Sequence, residues 1–200
     1  DGAYGDPSDP FGPYLSNDFF SSEYSSKNIA LYGSIDFLLT DSLKLSIGAR
    51  GENWKSKYND NNDESFNPSN SMSGGKISLS KTLNKETVIF GSLSKGYKQG
   101  GFNIGLGLEG GNLEDDLIYE PEFLINYELG VNFSSIASDI NLSMVAFYSD
   151  RKDQQVLISQ QVDPSDPNTF SYLTKNAAEG RNFGIESSID ISITESLSTF

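Results

Sequence analysis

Two segments decide the fold: TVIFGSLSKGYKQGGFN at residues 87–103 and YEPEFLINYELGVNFSS at residues 119–135. In the second, Phe123, Ile125, Tyr127, Leu129, Val131 and Phe133 alternate with Leu124, Asn126, Glu128, Gly130 and Asn132. Successive side chains of an extended chain point to opposite faces, so this is a strand with one apolar and one polar face. The first segment reads as another strand, and it ends in a Gly/Lys/Gln mixture from Lys98 to Gly101. Between the two lies an acidic stretch, 100–122, with six glycines and no Lys or Arg.

The same alternation recurs outward from this pair. It predicts strands at about 27–39, 43–58, 71–83, 87–99, 123–134, 139–159 and 171–194, and the start of an eighth after a turn at Glu195-Ser196. Residues 1–26 lack periodicity and read as loop, as do 59–70, 100–122 and 160–170. Connections are short after the first, third, fifth and seventh strands and long after the second, fourth and sixth. Short turns at one end, long loops at the other and strands well beyond the usual ~5–6 residues match an antiparallel transmembrane β-barrel. The expected fold is therefore all-β: seven to eight strands of a larger barrel, with 1–26 as an extracellular loop and 27–200 as barrel strands, turns and loops. The chain reads as a segment, since Ser198, Ser196 and Thr194 before Phe200 are polar where a closing strand needs apolar residues.

Composition narrows the chemistry. The chain has no Cys and no His, which removes disulfides, thiolate chemistry and the usual general base. No enzyme, cofactor or metal site is expected. No stretch approaches the ~18 apolar residues of a membrane helix, which leaves barrel strands possible. The net charge of −14 is concentrated. The four loop segments hold 16 of the 28 acidic residues and none of the 14 basic ones, so the strands are nearly neutral. No nucleic-acid partner is expected, because binding one needs a basic stripe.

Lys98 and Gln99 at the loop end of the fourth strand, with Phe102 and Asn103 after them and Arg151 on the sixth, form a candidate ligand-binding group. Their functional reading is a basic, aromatic-flanked vestibule for an anionic ligand. The competing reading is that outward basic groups meet lipopolysaccharide phosphates and inward ones pair with acids. Trp54, Tyr58, Tyr97 and Tyr148 read as interface-belt aromatics. Glu128 and Glu186 read as lumen groups. Asp60, Asp63 and Glu64, and Asp163 with Asp166, offer hard oxygens for Ca²⁺ but lack EF-hand spacing. Gly105–Gly110 fits G-x-G-x-x-G, yet no helical pattern follows to supply the amides that bind pyrophosphate.

SKGYKQGGFN (94–103), YEPEFLINYELGVNF (119–133) and NAAEGRNFGIESSI (176–189), in that order and spacing, resemble barrel strands of TonB-dependent outer-membrane receptors. The resemblance implies a bacterial outer-membrane location, with lipid and lipopolysaccharide as neighbours. It implies energy-dependent uptake of a scarce ligand such as a ferric siderophore or another metal chelate. It also implies a plug domain and a segment that engages the TonB complex, both expected upstream of residue 1. A passive outer-membrane channel and a soluble β-rich binding or adhesion module are the rival readings.

Overall fold

The structure is a computed structural model. It describes residues 21–61, 63–103, 117–135, 137, 139–161, 165, 170–177, 179–194 and 197–199. The strands are β1 (Ser22–Thr40), β2 (Leu43–Asp60), β3 (Ser65–Phe66), β4 (Ser69–Thr82), β5 (Thr87–Lys98), β6 (Gly101–Phe102) and β7 (Ile118–Tyr119). They continue as β8 (Glu122–Ser135), β9 (Ile140–Lys152), β10 (Gln155–Gln161), β11 (Phe170–Asn176), β12 (Gly180–Thr194) and β13 (Leu197–Thr199).

One sheet runs in the order β1-β2-β4-β5-β8-β9-β12-β13, with β3 added to β2. Each strand pairs antiparallel with its predecessor in this order, so the sheet is a simple meander. The connections fall as the alternation predicts: short turns at one end, long segments at the other. At the short end side chains substitute for missing ladder bonds. The Asn84 carboxamide accepts from Glu86 N at 2.9 Å, and the Glu86 carboxylate accepts from Ser135 Oγ at 2.8 Å.

Two expected strands are divided. The sixth was expected to run to 159 and the seventh to start at 171. Instead β9 stops at Lys152, because Asp153 takes a left-handed conformation with φ 54°. The chain then makes a separate hairpin, β10–β11, from Gln155↔Asn176 to Gln161↔Phe170, before β12 rejoins the main sheet. Ala177 N donates to Gln154 O at 2.8 Å and closes the neck of this hairpin. Two further differences are smaller. β1 begins at Ser22, ahead of the expected 27, and the polar 59–70 stretch contains β3 and the start of β4.

The register sorts residues into two surfaces. Ile35, Ile47, Ile77, Leu93, Tyr127, Tyr148 and Phe183 stand opposite one another across seven strands and are 37–75 % exposed. The next row toward the short turns, with Phe37, Leu79, Leu129 and Ile185, extends this apolar face. An exposed apolar surface of this extent belongs against hydrocarbon. The opposite row is Asp36, Ser46, Ser78, Ser92, Glu128, Phe147 and Gly184.

Hydrogen bonds consolidate that polar face. Glu128 accepts from Ser92 Oγ and Asn126 Nδ2, both at 2.8 Å, and pairs with Lys76 at 3.6 Å. Asn126 Oδ1 in turn accepts from Ser149 Oγ at 2.6 Å. The Phe90 ring lies across Gly130 on the neighbouring strand, where a Cβ would stand 2.6 Å from Phe90 Cε1. The ring covers backbone instead of projecting into the lumen.

Two measurements check this assignment of faces. In the complete barrel, Leu129→Arg or Ile189→Arg near the bilayer midplane should cost about 2–4 kcal/mol in a refolding titration, and Ser188→Arg on the other face far less. Equal costs would mean that this assignment of faces is wrong. Gly130→Val should destabilise by about 1–3 kcal/mol through displacement of the Phe90 ring. Phe90→Leu in the same background should restore part of that loss, and no restoration would mean that the ring is not the obstacle.

Candidate functional site at the loop end of the barrel

β2 shows where the membrane face stops. Its outward residues change from Leu45, Ile47 and Ala49 to Asn53, Lys55 and Lys57, which are exposed and polar. Its inward residues change in the opposite sense: Glu52, Trp54, Ser56 and Tyr58 are all buried. Above the membrane, therefore, the inner side of the wall is covered by folded loops.

The cover has an aromatic centre. Tyr58, Phe66 and Leu117 form a buried cluster against which Phe102 packs. Tyr58 lies 5.9 Å from Phe66 and 5.4 Å from Phe102, ring centre to ring centre. The Tyr58 hydroxyl donates to Asp60 at 3.0 Å, level with outward Lys57 and Asn59. Burial pushes its phenol above the ordinary pKa, and Asp60 adds to the effect. Burial likewise raises Tyr119 in β7.

Trp54, Tyr58 and Tyr97 thus differ from the belt positions expected for them. Trp54 is 2 % exposed and donates through Nε1 to Ser26 Oγ at 2.9 Å. The Tyr97 hydroxyl donates to Glu52 at 2.7 Å and accepts from Arg50 Nε at 2.9 Å. Its ring lies against Gly74, where a Cβ would come within 3.2 Å. For Trp54 and Tyr58 the physical reason is that an aromatic faces lipid only where its strand parity points outward; Tyr97 has the parity of outward Leu93, and its hydroxyl is drawn instead to Arg50 and Glu52. Trp54 and Tyr58 share parity with Arg50 and Glu52. Tyr148 stays on the outward face, its ring 6.3 Å from Tyr127.

The loops are held by side-chain amides used as backbone substitutes. β6 pairs β7 through Gly101↔Tyr119 and Phe102↔Ile118. Asn103 then spans to β11: its Nδ2 donates to Thr174 O at 2.9 Å and its Oδ1 accepts from Thr174 N at 2.8 Å. Asn176 accepts from Glu120 N at 2.6 Å and donates to Glu120 O and Asp153 O. Gln155 Nε2 donates to Gln99 O at 2.8 Å and Glu120 O at 3.0 Å. These residues join the connections after β5 and β9 into one lid-like layer.

The candidate residues fall into two groups. Phe102 and Asn103 are half-buried and build the layer, as just described. Lys98, Gln99 and Arg151 cluster at its edge, around Glu122. Lys98 stands opposite Glu122 in the ladder, is exposed, and forms no ion pair among the described residues. Arg151 Nη1 lies 3.2 Å from Glu122 Oε1, while Glu122 Oε2 accepts from Gln155 N at 2.9 Å. Arg151, Gln154, Ser149, Leu124 and Asn182 line a recess of about 250 Å³. The partners Glu122, Asn176 and Leu117 carry no local sequence signal; only the fold brings them here.

Of the residues considered for Ca²⁺, Asp60 caps a turn, accepting from Glu64 N at 3.0 Å. Asp163 and Asp166, and the glycines of 105–110, lie outside the described residues.

Comparison with known proteins places this architecture. The pesticin receptor of Yersinia enterocolitica is 27% identical over 156 residues, covering 74% of this chain and 22% of that protein. The pesticin receptor of Yersinia pestis matches to the same extent. The crystal structure of the ferric yersiniabactin uptake receptor FyuA from Yersinia pestis superposes with a TM-score of 0.70 at 22% identity, over 90% of this chain and 26% of that one. The siderophore receptor PiuA from Acinetobacter baumannii gives 0.65 at 15% identity, over 87% and 24%. The chain thus spans about a quarter of these proteins or slightly less. The family description "TonB dependent receptor-like, beta-barrel" matches residues 1–200. With its meander sheet, apolar outer face and polar lumen, the chain belongs to the β-barrel of the TonB-dependent receptors, a family of outer-membrane receptors and not of enzymes.

Proposed function

We propose that the full-length receptor binds a bulky metal chelate of the ferric siderophore class at its extracellular mouth and imports it in a step driven through the TonB complex. The observation that carries this reading is the basic edge of the loop layer. Lys98 is an exposed ammonium without an ion pair among the described residues, and Arg151 leaves part of its guanidinium exposed beside a recess. Ferric chelates commonly present carboxylate or phenolate oxygens, which such donors recognise through charge-assisted hydrogen bonds. Gln99 adds an exposed amide at the same edge. Phe102 and Asn103 contribute by holding the layer in place. The kinship with receptors for ferric yersiniabactin and other siderophores supports the class of ligand.

The acidic charge of the loops works against loose binding of small anions. A large chelate that reaches past the loop tips to Lys98 and Arg151 meets the donors directly. Selectivity then rests on reach and shape as well as on charge.

Three variants of the complete receptor test this, compared at matched surface expression. Lys98→Ala combined with Arg151→Ala should weaken binding of a cognate radiolabelled ferric chelate by about tenfold or more, the scale of one or two charge-assisted hydrogen bonds. Removal of residues 105–115, which spares buried Leu117, should also lower uptake. Binding unchanged in both would remove this site, and uptake undiminished in cells lacking TonB would remove the energised step. Asn103→Ala should act differently, through position. It deletes two bonds to Thr174 and should cost about 1–3 kcal/mol locally. Faster amide hydrogen exchange in β10–β11 is the expected signature, and unchanged exchange would show that Asn103 does not hold the layer.

A further inference from the structure

The wall of the barrel has a seam beside Lys98. β4 and β5 are interior strands of the sheet, each with a neighbour on both sides. Their common ladder ends at Gly75↔Lys95. Both strands continue past that point toward the loops. β4 runs back to Ser69 in register with β2, and β5 runs on to Lys98 in register with β8. Just above the apolar rows, therefore, residues 69–74 and 96–98 face each other without a shared ladder among the described residues.

Side chains cross the seam in place of backbone bonds. Nearest the loops, Asn70 Nδ2 donates to Glu120 Oε2 at 3.1 Å. Lower down, the Tyr97 ring lies over Gly74, which stands opposite Arg50 in the β2–β4 ladder. A Cβ on Gly74 would come within 3.2 Å of the ring and 2.7 Å of Lys95 O. The missing side chain leaves Tyr97 a passage across β4 to β2. There its hydroxyl is fixed twice, donating to Glu52 Oε2 at 2.7 Å and accepting from Arg50 Nε at 2.9 Å. Arg50 Nε also donates to Glu52 Oε2 at 2.8 Å, and Asn28 donates to the other oxygen of Glu52. Glu52 is 8 % exposed, so these bonds to a charged group are sheltered from water.

The clasp holds one side of the seam to the other. Lys98 follows Tyr97 directly, and its ladder partner Glu122 lies on the same side. So do Arg151 and Gln155, which bind Glu122. The β5–β8 ladder alone would let this group shift away from β4 as a unit. Phe102 also spans the two sides by packing on Tyr58, but apolar contact is non-directional, whereas the clasp fixes distance and angle. We propose that Tyr97 is the positioning residue for Lys98: clasped to Glu52 and Arg50 through the gap at Gly74, it closes the seam and sets the Lys98 ammonium at the mouth. Its part in binding rests on the chelate site proposed above; its hold on the strand end does not.

The test uses the full-length receptor with spin labels at Lys55→Cys on β2 and Lys152→Cys on β9, one on each side of the seam, and no other cysteine. Tyr97→Phe keeps the ring and removes the clasp. It should broaden the distribution of interspin distances and weaken binding of a cognate ferric chelate about fivefold, with the thermal midpoint close to that of the parent. Gly74→Val, which blocks the passage, should broaden the distances in the same way. Tyr127→Phe, on the membrane face, should change neither distances nor binding. A double-mutant cycle in the unlabelled receptor separates positioning from general loosening. Lys98→Ala should weaken binding about fivefold in the parent but less than about twofold in the Tyr97→Phe background, because the donor is already misplaced there. Unchanged distances in Tyr97→Phe overturn the proposal, and so does a fully additive cycle. If Lys98→Ala by itself binds the chelate like the parent, the chelate site fails, and the spin-label distances alone then uphold or overturn the clasp.

Discussion

Hydrocarbon offers no partner for a peptide group, and this constraint shapes the whole chain. Every N–H and C=O at membrane depth must bond within the protein, so strands that cross a membrane must pair on both sides along their length. Within the meander, β2, β4, β5, β8 and β9 satisfy this by pairing with a neighbour on each side. The same constraint explains the division of labour between faces. With the ladder satisfying the backbone, side chains only have to match lipid outside and water or protein inside. The seven opposed residues from Ile35 to Phe183 do the first, and the Ser92–Glu128–Lys76–Asn126 network does the second.

Beyond the membrane the constraint is relaxed, and the chain uses a different device. The connections after β5 and β9 leave the main sheet as short two-stranded ladders, which are weak alone. Their stability comes from an aromatic cluster underneath and from carboxamides above. Asn103, Asn176 and Gln155 each carry both a donor and an acceptor, so each can continue a ladder where the backbone turns away. The layer so formed lies over the inner wall and sets Lys98 and Arg151 at its edge. Glu122 has a structural part in this, since it neutralises a share of Arg151 while leaving Lys98 exposed. Ligand contacts and loop architecture thus meet at one carboxylate.

Local alternation was sufficient to determine most of this. Period-2 patterning in 123–133 and its repeats assign the strands, their two faces and the alternation of short and long connections. Parity also held an answer that a reading by residue type obscured: Trp54 and Tyr58 alternate in step with Arg50 and Glu52 and so belong inside. Three motifs in order were enough to indicate the family. The reason is that strand alternation is set by the geometry of single residues and their immediate neighbours.

Only tertiary structure decided the rest. The break at Asp153 interrupts an alternation that continues on both sides, because residues 155–161 pair with 170–176 and not with the main sheet. Asn103 meets Thr174 across 71 positions, and Asn70 meets Glu120 across 50. Arg151 is partly neutralised by a residue 29 positions earlier in the chain. No local pattern records such partners, since hydrogen bonds and ion pairs act over a few ångströms of space whatever the separation along the chain. The sequence by itself determined the wall of the barrel; the folded loops alone determined which of its polar groups stand at the mouth.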